Sequence, residues 1–420
     1  MSDDGPPSAP RHPRIEQRSL LLRGGTGSGL DLARLQRDVV GAIELPLRQA
    51  ATEQPLLTQV RRDGLGIVLS GEAWRNQLDP AARGEAFGTL PYAQPAPLEL
   101  ERGPLSAAAL ADYAETYLDA QLAAGATLAT TPAHLFEREL GEGREQDLAL
   151  ARATIAAWRE RQGWRPPPQR PDDPPRELYA GVAVRAAIDP IPALIERYAA
   201  LSVDGYWLTV FDGDDSAEQL GAVTALALGL QEASGRPVVV AGAGPAQTAL
   251  LASGLAAVCT DVHATPPQFP PHDEANTGAG SVTAFALPVF HPAILGELPP
   301  GVAFEEARTR LFATDPCRCG EHVAHEPPHG RRATVAHNAW CLAAEARDAT
   351  GLLPVFDEAR LGARRQRADR MRARLGLEPL PAGWGAVATA AATVRSGAIR
   401  ADGARAAGGG TAPGGGLHAV

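Results

Sequence analysis

Two cysteines one residue apart, in the run Asp315-Pro-Cys-Arg-Cys-Gly-Glu-His322, are the residues of this chain best spaced for chemistry. Asp315-Pro316 starts a turn, Cys317 and Cys319 flank a single residue, and Gly320 lets the chain double back so that His322 reaches the same point. His337 lies 15 residues further on and begins a predicted helix from His337 to Ala346. Two thiolates and two imidazoles make a closed tetrahedral shell for Zn2+, with no open position for catalysis, so the expected role is structural. Cys341, one helical turn after His337, competes with it as a ligand, and His325 and His329 are loop alternatives to His322. The competing reading is two unligated thiols in a loop, which would be an oxidation liability without benefit.

Carboxylates supply a second kind of chemistry. In Cys259-Thr-Asp261-Val-His263, residues two apart on a strand share a face, so Cys259, Asp261 and His263 can point together into one cavity. Asp261 there is a candidate nucleophile or general base; its plainer role is to cap a turn. Asp212, Asp214 and Asp215 cluster at the entry to a predicted helix, where helix capping competes with the holding of a substrate edge, least so for Asp212. Gly242-Ala-Gly244-Pro245 brings backbone N–H groups close to an anion or flat ring, or is an ordinary strand-to-helix turn. Gly24-Gly-Thr-Gly-Ser-Gly29 lacks the lysine of a phosphate-binding loop.

The elements that must position these groups read most clearly from 177 onward. Apolar runs at Tyr179 to Val184, Tyr206 to Val210, Pro237 to Ala241, Leu255 to Cys259 and Val282 to Leu287 alternate with amphipathic stretches at Ile191 to Leu201, Ser216 to Ala233 and Ala246 to Ser253. That alternation implies parallel βαβ units. Strand candidates at Leu20 to Leu22, Leu65 to Leu69 and Ala126 to Thr130, with helices at Ser106 to Ala124 and Gln146 to Arg161, bring the count near eight strands. The leading architecture is an α/β (βα)8 TIM-like barrel over 15–310, and an open doubly wound sheet is the alternative. Residues 311–385 then carry the zinc knot, the last barrel helix and a basic helix. Residues 1–14 and the Gly/Ala-rich 386–420 read as disordered tails. The Pro-rich run at 165–176 reads as a long loop within one domain.

The longest apolar runs fall short of the roughly 20 residues of a membrane span, and no secretory signal is recognisable at the start, so a cytoplasmic protein with reduced thiols and no membrane partner is expected. A net charge of −10 argues against coating nucleic acid by charge alone. All 39 basic residues are arginine, which weakens arginine content as a phosphate-binding signal. The helix predicted over Ala359 to Leu375 nevertheless concentrates Arg360, Arg364, Arg365, Arg367, Arg370, Arg372 and Arg374. Leu361, Ala368, Met371 and Leu375 form its apolar face, leaving Arg364, Arg365 and Arg367 for solvent or phosphate.

Taken together, these residues resemble the tRNA-guanine transglycosylase superfamily, zinc-containing TIM barrels that exchange a nucleobase in RNA or DNA, over roughly residues 105 to 345. Cys317-x-Cys319-x-x-His322 with His337-Asn338 is similar to the family's zinc knot, with His322 standing for its third cysteine. Asp204-Gly-Tyr206 resembles the segment before the base-recognition loop. Arg236-Pro237 through Gly242-Ala-Gly244, Leu250-Leu251 and Gly254 resembles the run that leads to the nucleophilic aspartate. Without a gap the nucleophile's position falls on Cys259, and a small shift places Asp261 there. The family's recognition-loop Gly-Gly falls on Thr209 and Val210, its acidic general base has no counterpart near Leu65 to Gly71, and Thr131-Pro132 stands where a base-binding aspartate is usual.

The resemblance implies a pentosyltransferase of tRNA modification, of the queuosine type, with Asp261 attacking the anomeric carbon, Asp212 or Asp215 holding the base edge and Gly242 to Gly244 shaping the pocket floor. It also implies tRNA as partner and a homo- or heterodimer with a homologue. Two other readings stand beside it: a non-catalytic, zinc-stabilised partner of such an enzyme, and a barrel enzyme with a phosphate-bearing cofactor at Gly242 to Gly244.

Overall fold

The computed structural model describes residues 20–24, 35–36, 38–98, 100, 105–136, 141–163, 176–185, 190–211, 216–242, 247–261, 287–299, 301–320, 322–350 and 358–397. Eight parallel strands close into a barrel in chain order: β1 (Leu20–Arg23), β2 (Val40–Pro46), β3 (Gly66–Ser70), β4 (Leu128–Thr130), β5 (Glu177–Val184), β6 (Gly205–Val210), β7 (Val238–Ala241) and β8 (Ala257–Asp261), with β8 pairing back onto β1. The connecting helices are α1 (Gln54–Arg62), α2 (Glu85–Gly88), α3 (Ala107–Ala124), α4 (Glu142–Gly163), α5 (Ile191–Ala199), α6 (Ala217–Ser234) and α7 (Gln247–Ala252). After the barrel come a hairpin, β9 (Val289–His291) with β10 (Gly296–Leu298), and helices α8 (Val302–Thr314), α9 (Arg331–Thr350), α10 (Glu358–Arg374) and α11 (Gly383–Arg395). Helix α9 packs on α7 and β1 and completes the ring. The fold is thus a (βα)8 barrel.

Local chemistry explains the helix limits. Ser106 and Ser216 each accept a backbone N–H of the first turn, from Ala109 and Gln219 at 3.2 Å, and α3 and α6 end on Gly125 and Gly235 in the left-handed region. Helix α6 is apolar nearly all round because it is covered twice, by the barrel and by α11. Its Leu220, Val223, Leu226 and Leu230 are fully buried, each contributing about 1.5–3 kcal/mol of transfer free energy. The barrel is weakest where β3 and β4 share one aligned pair, Val68 with Leu128. There the Gln121 amide of α3 serves as the missing strand, accepting from Thr130 N at 2.9 Å and donating to Thr130 O at 2.9 Å.

Two expectations change, and a third falls on residues outside those described. The strand at Val40–Pro46 is additional to those expected from the sequence, and with it the barrel closes at β8. The strand expected at Val282 to Leu287 lies outside the described residues except for Leu287, which precedes β9. The segment expected to be a tail from 386 includes most of α11, whose Trp384, Val387, Ala391 and Val394 recur at helical spacing and bury against α6. No helix among the described residues is long and apolar enough to cross a membrane.

Candidate functional site

The carboxyl ends of the barrel strands carry a polar mouth. Inside the barrel, Leu21, Ala42, Val68, Leu128, Tyr179, Trp207, Val239, Ala241, Ala257 and Cys259 pack into an apolar plug. One step further along three strands, on the same face, stand Arg23, Glu44 and Asp261. Arg23 and Asp261 are aligned across β1 and β8, and Arg23 and Glu44 across β1 and β2. Arg23 holds Glu44 with two bonds, Nε to Oε2 at 2.6 Å and Nη2 to Oε1 at 3.1 Å. Burial opposes the charge on Arg23, but Glu44, with Cys259 and Asp261 adding to it, keeps the guanidinium firmly protonated. Below them, burial pushes the Cys259 thiol well above its usual range, with Glu44 adding to the rise. Of the two residues competing for the nucleophile's position, Cys259 is therefore a buried protonated thiol, and Asp261 is the partly exposed carboxylate at the rim.

The next strand end adds groups that the sequence did not disclose. Glu72, directly after β3, has φ 47°, a left-handed conformation that costs a non-glycine residue free energy and clusters at functional sites. Its carboxylate is gripped by Arg48 Nε at 2.9 Å and Arg75 Nε at 3.2 Å. Arg75 lies 4.8 Å over the Trp74 ring, and Trp74 meets Phe211, at the end of β6, edge to face at 5.2 Å. Ala133, Leu135 and Ala183 join these two rings in one small cluster. Further out, His134 Nδ1 pairs with Asp147 at 2.8 Å in a fully buried network that includes Arg144 and Tyr198.

Several predicted site residues fall elsewhere. Asp212, Asp215 and Gly244 lie outside the described residues, as does His263. Gly242 closes β7 with φ +84°, a conformation that favours glycine, but α7 beyond it is only six residues long. On α10, Arg364 forms an ion pair with the buried Glu345 of α9, and Arg365 approaches Asp369 at 3.7 Å. Among the described side chains of that helix, Arg367, Arg370 and Arg374 are the exposed arginines.

The predicted metal ligands come together as the spacing required. Among the described residues, Cys317, Cys319, His322 and His337 form a group whose ligand atoms all lie within 4.8 Å of one another. From His337 Nδ1 the distances are 3.3 Å to Cys317 Sγ, 3.6 Å to Cys319 Sγ and 3.0 Å to His322 Nε2. A tetrahedral zinc with ordinary bond lengths sets these edges at about 3.5 Å for sulfur to nitrogen and about 3.3 Å for nitrogen to nitrogen. The outer contacts fit as well. His337 Nε2–H donates to Phe290 O at 2.7 Å and His322 Nδ1–H to Val323 O at 2.8 Å, which turns the other nitrogen of each ring toward the shared point. Cys319 N–H donates to Cys317 Sγ at 3.3 Å. Asn338 completes the anchorage, accepting from Phe290 N at 3.0 Å and donating to Pro288 O at 2.9 Å, so α9 holds β9 by two adjacent side chains. His291, close by, is no ligand: its Nδ1 accepts from Ala293 N, its Nε2–H donates to Asp315 O, and burial next to His337 lowers it to about 4.

The molecule is therefore a (βα)8 barrel with a charged mouth, followed by a two-cysteine, two-histidine cluster able to hold a metal ion. No family model matches the chain, and no curated protein matches it.

Proposed function

We propose that the chain is a divergent tRNA-guanine transglycosylase-like enzyme, exchanging a base in nucleic acid with RNA as the leading substrate, and that its Cys/His cluster holds a structural zinc. The observation that carries this reading is the place of Asp261: the carboxyl end of the last barrel strand, on the lumen face beside Arg23, with the metal cluster in the segment after the barrel. In the reaction an Asp261 oxygen bonds to the anomeric carbon as the glycosidic bond to the outgoing base breaks. The base leaves with the electron pair and takes a proton from solvent, and an incoming base, giving up its ring N–H proton to solvent, then displaces Asp261. Trp74, half-buried and backed by the fully buried Phe211, offers aromatic surface on which a flat base can stack, at the same rim. Zinc, bound by four protein ligands, supplies folding free energy and no reactive position. Exposed arginines of α10 supply phosphate contacts, and the reduced thiols of a zinc site suit the cytoplasm.

The test is base exchange with Asp261→Asn. The variant should lose exchange and the covalent glycosyl adduct while keeping its metal; full exchange in Asp261→Asn removes Asp261 from the nucleophile role.

A non-catalytic partner subunit is the second reading, and Thr209 favours it. This residue stands where the resemblance has glycine, and by its register with Trp207 its side chain faces the lumen. A protein inactive alone that raises the exchange activity of a catalytic homologue on mixing would select this reading.

A further inference from the structure

Beside the four residues of the metal cluster a fifth soft donor is buried against one of them. Cys341 stands one helical turn after His337 on α9, so the two side chains share a face. Its thiol is wholly buried and lies 3.8 Å from His337 Nδ1, against 3.6 Å for Cys319 Sγ, which belongs to the cluster. Cys341 is also 3.7 Å from His337 Nε2, so its sulfur sits alongside the ring of that ligand.

The other side of the cluster is held differently. His337 is 0% exposed and fixed from β9, and the two cysteines are each 9% exposed. His322 is only half-buried, and its free nitrogen bonds the carbonyl of Val323, the very next residue, which is itself 62% exposed. The His322 ring is otherwise met by the Phe312 edge at 5.4 Å, by the cluster itself and by the backbone of its own loop at Glu326. Three ligands are thus built into the core, one is carried at the surface, and a spare soft donor is buried behind them.

We infer that Cys341 is an exchangeable fourth ligand, which enters the shell when His322 leaves it. This rests on reading the cluster as a metal centre. In the exchange the metal–Nε2 bond of His322 breaks, Cys341 gives up its thiol proton and its sulfur bonds the metal. The proton passes to the released imidazole, so charge is conserved and no oxidant is needed. The site then alternates between a two-cysteine, two-histidine shell and a three-cysteine, one-histidine shell. The loop that carries His322 and Val323 can leave the cluster without loss of the ion, and the exposed part of the knot becomes free to engage a partner while the fold keeps its metal.

Metal content and cobalt(II) spectra of the full chain decide the matter. Thiolate-to-cobalt charge transfer grows with the number of sulfur ligands, which separates the two shells. His322→Ala should retain about one metal per chain, as one closed site requires, and show stronger charge transfer than wild type. Adding Cys341→Ala to that variant should remove the metal or return the band to its wild-type strength. Cys341→Ala alone should match wild type, which controls for packing in α9. A His322→Ala protein that loses its metal, or keeps it with an unchanged band, overturns the exchange while leaving the metal centre intact. A wild-type protein without metal overturns both.

Discussion

Replacing Arg23 by methionine and replacing Glu44 by glutamine should cost unequal amounts of stability, although the two residues make the same ion pair. The Glu44 side chain is 1% exposed and that of Arg23 26% exposed. Removing Arg23 strands a carboxylate in the barrel lumen with no access to water, which costs about 3–5 kcal/mol for a buried pair broken on one side. Removing the Glu44 charge leaves a guanidinium that can turn to the open mouth and rehydrate, so the loss approaches that of a charged hydrogen bond, about 1.5–3 kcal/mol, reduced further by solvent screening. The expected order is Arg23→Met well below Glu44→Gln, by about 2 kcal/mol, and both below wild type. Urea unfolding midpoints at constant slope measure this directly. Equal costs, or the reverse order, would refute the placing of Glu44 as the buried member and with it the account of how the mouth is charged.

Two further outcomes follow from the helices beyond the barrel. Burial pushes the Glu345 carboxyl from 4.5 to about 7 in spite of Arg364, so between those values the folded state holds a proton that the unfolded state has released. Stability should therefore fall as pH rises through that window, by about 3 kcal/mol at most, and Glu345→Gln should flatten the fall; a variant profile parallel to wild type in unfolding experiments contradicts this. For nucleic-acid binding, Arg367→Ala with Arg370→Ala should weaken RNA about equally across sequences and reduce the salt slope by about 2, whereas Arg364→Ala should act on stability instead. An unchanged slope in the double variant makes α10 a solvated face.

The parts of this molecule visible in its sequence are those where one rule acts alone. Strands β5 to β8 are apolar runs set between amphipathic helices, and periodicity suffices to read them. Strand β2 is an apolar run broken by Glu44, and a charge inside a run argues against a strand until the barrel is closed and the residue is seen facing Arg23. Arg23 and Glu44 are 21 residues apart in sequence and meet only because β1 and β2 pair, so no local spacing announces them. Helix α11 hid in a Gly/Ala-rich context, although Trp384, Val387, Ala391 and Val394 carried the helical period. A left-handed backbone at a strand end leaves no sequence mark unless the residue is glycine, so nothing local singles out Glu72. The candidate metal ligands are legible because cysteines one residue apart in a turn have few other uses. Spacing alone left Cys341, His325 and His329 as alternatives, and distance settles only part of that choice by bringing His322 and Cys341 both next to His337.

Metal analysis of the full chain, purified without added metal or chelator, shows whether the Cys/His cluster holds an ion. The geometry of Cys317, Cys319, His322 and His337 predicts about one zinc per chain. That zinc should be lost, together with thermal stability, in the Cys317→Ser, Cys319→Ser double variant. A folded wild-type protein that contains no metal, or zinc that persists undiminished in the double variant, would contradict the account.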